Sequence, residues 1–132
     1  MRCKLILLLA LTASACGTHQ PEPILLTCAN LQTGCDSQIE GQPIHIQFSS
    51  TPSTLRPFDL VLVTDAQSVE ASFQMQGMEM GFNRYRLLAE SSKWHARVIL
   101  PACVRGRSDW MLLLDIKTAG IARRYELPFS SN

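Results

Sequence analysis

The sequence lacks four things, and each absence excludes something. No segment shows a sustained helical period, so a helical fold has no support from the pattern of apolar residues. The longest apolar run near the N-terminus, Leu5 to Leu11, is too short to span a bilayer as a helix, which takes roughly twenty residues. Charge of either sign is also not in excess. Twelve basic residues less Arg2 and Lys4 of the leader leave ten, against eleven acidic ones, so the body of the chain is close to neutral. A phosphate-neutralising face is not signalled, and nucleic-acid binding drops out. Catalytic motifs are missing as well: there is no HExxH, no GxSxG, no glycine-rich phosphate loop and no CxxC pair. Cys103 and His95 lie eight residues apart across a strand end, but spacing alone does not make a nucleophile and its base. The chain is not expected to be an enzyme.

What is present begins with an address. Residues 1–15 read MRCKLILLLALTASA: a short positive region, an apolar run and a small-residue tail, the order of a secretory signal peptide. The next residue is Cys16. The order Ala13-Ser14-Ala15-Cys16 resembles the lipobox of bacterial lipoproteins, in which the cysteine after the cleavage site becomes lipid-modified. That resemblance implies a membrane-anchored protein of the bacterial cell envelope. Gly17, not being Asp, implies sorting to the outer membrane with the domain facing the periplasm. Residues 16–23 then form the lipidated cysteine and a polar, proline-bearing tether, too poor in apolar residues to pack. Residues 24–132 are long enough for one domain and not two.

Export into an oxidising compartment permits disulfides. Beyond Cys3 and Cys16 the candidates are Cys28, Cys35 and Cys103, an odd number that leaves one thiol over. A Cys28-Cys35 bridge would close the short loop CANLQTGC, in which glycine can turn the chain back; a bridge from either to Cys103 would tie the N-terminal segment to the far end of the domain. The short bridge is favoured, and sequence alone does not decide between them.

Within the domain, short apolar alternations recur between turn signals. PIHIQFS sets Ile44, Ile46 and Phe48 on one face, and SVEASFQMQ sets Val69, Ala71, Phe73 and Met75 inward. FDLVLVT and WMLLLDIKT are apolar on both faces, which suits central strands. With PILLTC, NRYRLLA, KWHARVILP and IARRYELPF the series reaches about eight strands. The expected fold is all-β, an antiparallel β-sandwich of immunoglobulin-like type with about 7–8 strands, Trp94 and Trp110 serving as core anchors; a closed barrel is the competing architecture.

The segment QMQGMEMG stands out. Met75 is in phase with the core, whereas Met78 and Met80 fall past the strand end between two glycines. On an extended segment the two thioethers would share one side, and thioethers with an imidazole suit Cu(I). His95 and His45 are the imidazoles within the domain. The alternative is that Met78 and Met80 plug the open end of the sandwich as flexible fillers. Arg84 and Arg86 flank Tyr85 in alternate phase and, with Arg97, could form a basic stripe for a carboxylate-bearing partner, or a solvated face paired with Glu70, Glu90 or Asp115.

Taken with the lipobox and the all-β pattern, QMQGMEMG ahead of a strand resembles small bacterial envelope proteins of the YtkA/FixH type. The resemblance implies an immunoglobulin-like domain in a copper-delivery or cytochrome-oxidase-assembly setting, with Met75, Met78 and Met80 as the residues it touches. FixH-type proteins carry a transmembrane helix that this sequence lacks. The expectation is a lipid-anchored periplasmic binding module, for Cu(I) or as a copper-delivery accessory. The alternative is a metal-free structural or interaction lipoprotein with an envelope protein as partner.

Overall fold

A computed structural model describes residues 17, 21–78, 83–102 and 106–132. Cys16, Met80 and Cys103 lie outside the described residues, as does the whole leader, residues 1–15. The described residues are all-β and contain no helix; ten strands form two sheets of five.

The first sheet has the order β1-β10-β9-β5-β6, where β1 is Ile24–Leu25, β5 Ser68–Met75, β6 Arg84–Arg86, β9 Asp109–Thr118 and β10 Ile121–Ser130. The second has the order β2-β3-β4-β8-β7, where β2 is Cys35–Ile39, β3 Gln42–Phe48, β4 Phe58–Val63, β7 Leu88–Glu90 and β8 Lys93–Val98. Every strand pairing is antiparallel except β1 with β10.

Period-two patterning sets which side chains meet between the sheets. Ile44, Ile46 and Phe48 of β3 and Phe58, Leu60 and Leu62 of β4 are buried against Val69, Ala71, Phe73 and Met75 of β5 and Trp110, Leu112, Leu114 and Ile116 of β9. Full burial of side chains of this size is worth about 1.5–3 kcal/mol each before entropy is charged. One end of the core is aromatic: Phe73 meets Phe58, Tyr85 and Phe129 edge to face, and Phe48 meets Phe58 and Phe129 in the same way. Edge-to-face pairs set the positive ring edge on the negative ring face. Both doubly apolar segments became central strands: β4 lies between β3 and β8, and β9 between β10 and β5.

Two departures from the expected strands have local causes. NRYRLLA is not one strand of one sheet. Residues Arg84–Arg86 pair with β5, the chain bends at buried Leu87, and Leu88–Glu90 pair with β8 in the other sheet. The Tyr85 hydroxyl fixes that crossing, accepting from the Ile99 N–H and donating to the Ile99 carbonyl. CDSQI, not counted among the expected strands, is strand β2. Its Cys35 and Ile39 face the core, and as an edge strand it tolerates polar residues between them. Trp110 is fully buried, its indole N–H donating to Ser131 Oγ at 3.1 Å; Trp94 is only half-buried and packs on the core from its margin.

Two hairpins turn in two residues, Glu40-Gly41 and Ala119-Gly120, with φ of 49° and 74° in the first and 48° and 79° in the second. Positive φ at both central positions is the turn whose twist matches that of the flanking strands. A disulfide joins Cys28 and Cys35, the short one of the pairings open to the sequence. At a separation of seven residues, loop closure of this size contributes about 2–3 kcal/mol in the chain-entropy account.

Candidate functional site

The strand directions put four connections at one end of the sandwich: the β2-β3 turn, residues 64–67 between β4 and β5, the Ser91-Ser92 turn between β7 and β8, and the β9-β10 turn. β1 runs parallel to β10, so the N-terminal tether arrives at this same end. The Arg123 guanidinium, reaching from β10 to the Glu40 carboxylate at the β2-β3 turn, ties the two sheets together there.

This end carries a groove of about 830 Å³. Pro43, Ile44, Val63, Ala66, Ala89 and Trp94 form its apolar wall, and Asp36, His45, Asp65, Ser91 and Ser92 add polar groups. Alternation explains why a strand end supplies both kinds. Ile44 and Trp94 point between the sheets, whereas His45 and Val63, facing each other across β3 and β4, point outward. The β2 register sets Asp36 opposite His45, and its carboxylate sits 2.8 Å from His45 Nδ1. Gly34 positions the other side of the ring. A Cβ there would lie 2.6 Å from His45 Cε1, and φ of 97° at that residue suits only glycine. A second, smaller groove of about 350 Å³ lies at the opposite end, beside Cys28, Phe48 and Phe129.

No family model matches the chain, and no curated protein and no solved structure is significantly similar to it. The functional reading therefore rests on this molecule's own geometry.

The candidate ligands for copper among the described residues, Met78, His45 and His95, are dispersed. Met78 closes a tight turn, its N–H donating to the Met75 carbonyl at 3.1 Å, and its half-buried side chain packs against the core. It follows β5, in the sheet opposite to the one that carries both histidines, and it lies toward the end away from His45. His95 Nε2 is 3.1 Å from a Glu90 carboxylate oxygen. His45 and His95 face outward from the same sheet, but β4 lies between their strands. The described residues hold no group of three or more His, Cys, Asp or Glu side chains that could bind a metal ion.

The basic stripe is divided between the sheets. Arg84 and Arg86 stand on the outer face of the first sheet, with Arg86 3.5 Å from Glu70; Arg97 stands on the second, 3.5 Å from Asp59. The stronger carboxylate clamp is one the sequence reading did not single out. Arg124 makes two parallel bonds to Asp115, at 2.7 and 2.9 Å, and that pairing holds its guanidinium above the ordinary arginine range. Near the opposite end, a hydrogen bond from Arg107 holds the Asp109 carboxyl below its usual range, while the Arg107 guanidinium also donates to the Gln76 carbonyl.

The groove was the feature missed in the sequence. Its residues come from β2, β3, β4, β7 and β8 and from the connections at 64–66 and Ser91-Ser92, and its aromatic contributor, Trp94, read as an ordinary core position. The available signal was the run of two-residue turns, which gathers strand ends at one side.

Proposed function

We propose that this protein is a lipid-anchored binding module of the bacterial envelope, with an immunoglobulin-like sandwich that presents the Trp94 groove to a partner. The groove itself carries the reading: a half-buried tryptophan in an apolar depression rimmed by a few polar groups is the common form of a binding site. The strand orders support the fold type. β3-β4-β8-β7 corresponds to the ABED order of immunoglobulin domains, and β10-β9-β5-β6 corresponds to their GFC sheet extended by one strand. In that correspondence, residues 64–67 are the B-C connection and Ala119-Gly120 the F-G connection, at the end where variable domains place their binding loops. A rigid sandwich with short turns gives a site that needs little ordering on binding. Anchoring through Cys16, as the lipobox implies, would hold the groove within reach of envelope proteins.

The reading is tested in cells with the full chain carrying a photocrosslinking amino acid at Val63 or Ser92 on the groove, or at Lys117 and Arg86 on the other sheet. Expected are a discrete protein adduct from the groove positions only, and retention in the membrane fraction that Cys16→Ser abolishes. Adducts of equal yield from all four positions, or none from the groove, would overturn the binding reading. Retention of Cys16→Ser in the membrane fraction would overturn the anchor.

A further inference from the structure

The groove's charge and shape specify more than the presence of a partner. The formal charges among its lining residues are both carboxylates, Asp36 and Asp65. The adjoining depression adds two carboxylates, Asp59 and Glu90, and one lysine, Lys93, so the rim stays net negative. An anionic lipid surface or a carboxylate-bearing ligand would be repelled there, and a cation attracted.

Shape selects among cations. The lining runs from β2 at one edge of the second sheet, past β3 and β4, to β7 at the other edge. Five strands at about 4.8 Å spacing make a trough of roughly 19 Å, the length of about six residues of extended chain. A compact cation would fill a fraction of it. An extended peptide would fill it, and its alternation puts one set of side chains down and the other toward the rim.

We infer that the groove takes an extended cationic segment of a partner protein, its apolar side chains against Trp94 and Val63 and its Lys or Arg side chains beside Asp36 and Asp65. The inference rests on the groove being the binding site, and it names the chemistry of what binds there. Asp36 is well suited to the role because its side chain is 87% exposed while one of its oxygens is held by His45. A rim carboxylate of this kind sets specificity and encounter rate as much as affinity.

The full chain is reconstituted in phosphatidylcholine nanodiscs, whose neutral surface does not itself collect basic peptides. It is titrated with the hexapeptide Lys-Leu-Lys-Leu-Lys-Leu, with Glu-Leu-Glu-Leu-Glu-Leu and with Ser-Leu-Ser-Leu-Ser-Leu. Trp94 is the reporter, since fully buried Trp110 supplies a constant background. The expected result is a saturable change in fluorescence with the lysine peptide, weakened by salt and absent with the glutamate peptide. Asp36→Asn combined with Asp65→Asn should weaken binding by roughly fivefold or more, taking about twofold to fivefold for each exposed pair, at unchanged Tm. Equal binding of the glutamate peptide, or unchanged affinity in the double variant, overturns the inference. If no hexapeptide binds while groove positions still crosslink in cells, the cationic-peptide assignment falls and the binding site stands. If neither is seen, both fall.

Discussion

Ser131 shows how much one terminal residue can hold. Its hydroxyl is the hydrogen-bond partner of the Trp110 indole N–H, in a position where neither reaches solvent freely. Ser131→Ala leaves that N–H buried and unpaired, so unfolding free energy by chemical denaturation should fall by about 1–3 kcal/mol. A loss below a few tenths of a kcal/mol would mean the bond contributes nothing net. Tyr125 is a second such position. Burial, assisted by the Glu40 carboxylate, pushes its hydroxyl above the ordinary value of 10.0. The fold therefore favours the neutral phenol. That contribution is fully present below the unfolded value and is lost as pH rises through the folded one. Stability followed above pH about 10 should decline in the wild type and decline less in Tyr125→Phe. The alternating pattern of IARRYELPF already put Tyr125 in phase with Leu127. The acid and base that surround it, Glu40 and Arg123, come from different sheets and had no local sign.

At the scale of elements, the hairpins are the places where chemistry and conformation pull apart. Ala119 occupies a left-handed backbone position with φ of 48°, where a Cβ costs roughly 1–2 kcal/mol and glycine costs less. Ala119→Gly should raise Tm, by the equivalent of about 0.5–1 kcal/mol after the extra chain entropy of glycine is deducted. Gly120→Ala, at φ of 79°, should lower it by at least as much. Identical Tm values for the two variants would show that the turn does not constrain the sheet. The strands themselves were the most legible elements, because alternation writes burial directly into sequence: Ile44, Ile46 and Phe48, or Val69, Ala71, Phe73 and Met75, could be assigned inward before any pairing was known. β2 was not legible, since Asp36 and Gln38 resemble loop residues until β3 is beside them. The bend at Leu87 was not legible either, because a strand that changes sheets keeps its alternation in both.

For the whole molecule, the distribution of sites between the two ends decides what can cooperate. Met78 is packed at one end, and the groove with His45 opens at the other. Competition titration with Cu(I) under reducing conditions is expected to give the same affinity, whatever its value, for the wild type and for Met78→Leu, since the half-buried side chain packs against the core, where leucine fills similar space. Loss of one-to-one binding in that variant alone would return Met78 to a ligand role. The pairing of Arg123 with Glu40 and the crossing strand at Tyr85 hold the sheets in one arrangement, so the groove at the strand ends is preformed.

By itself the sequence determined the all-β character, the central positions of FDLVLVT and WMLLLDIKT and the inward set of most strands, all of which follow from neighbours within a few residues along the chain. Tertiary structure alone decided which strand ends share a side. It set Asp36 on His45 across a hairpin, brought Trp94 beside Val63 and Pro43, and separated Met78 from both imidazoles. The physical reason is that alternation specifies which way a side chain faces but carries no information about which strand lies beside it, and a binding groove is made of neighbours.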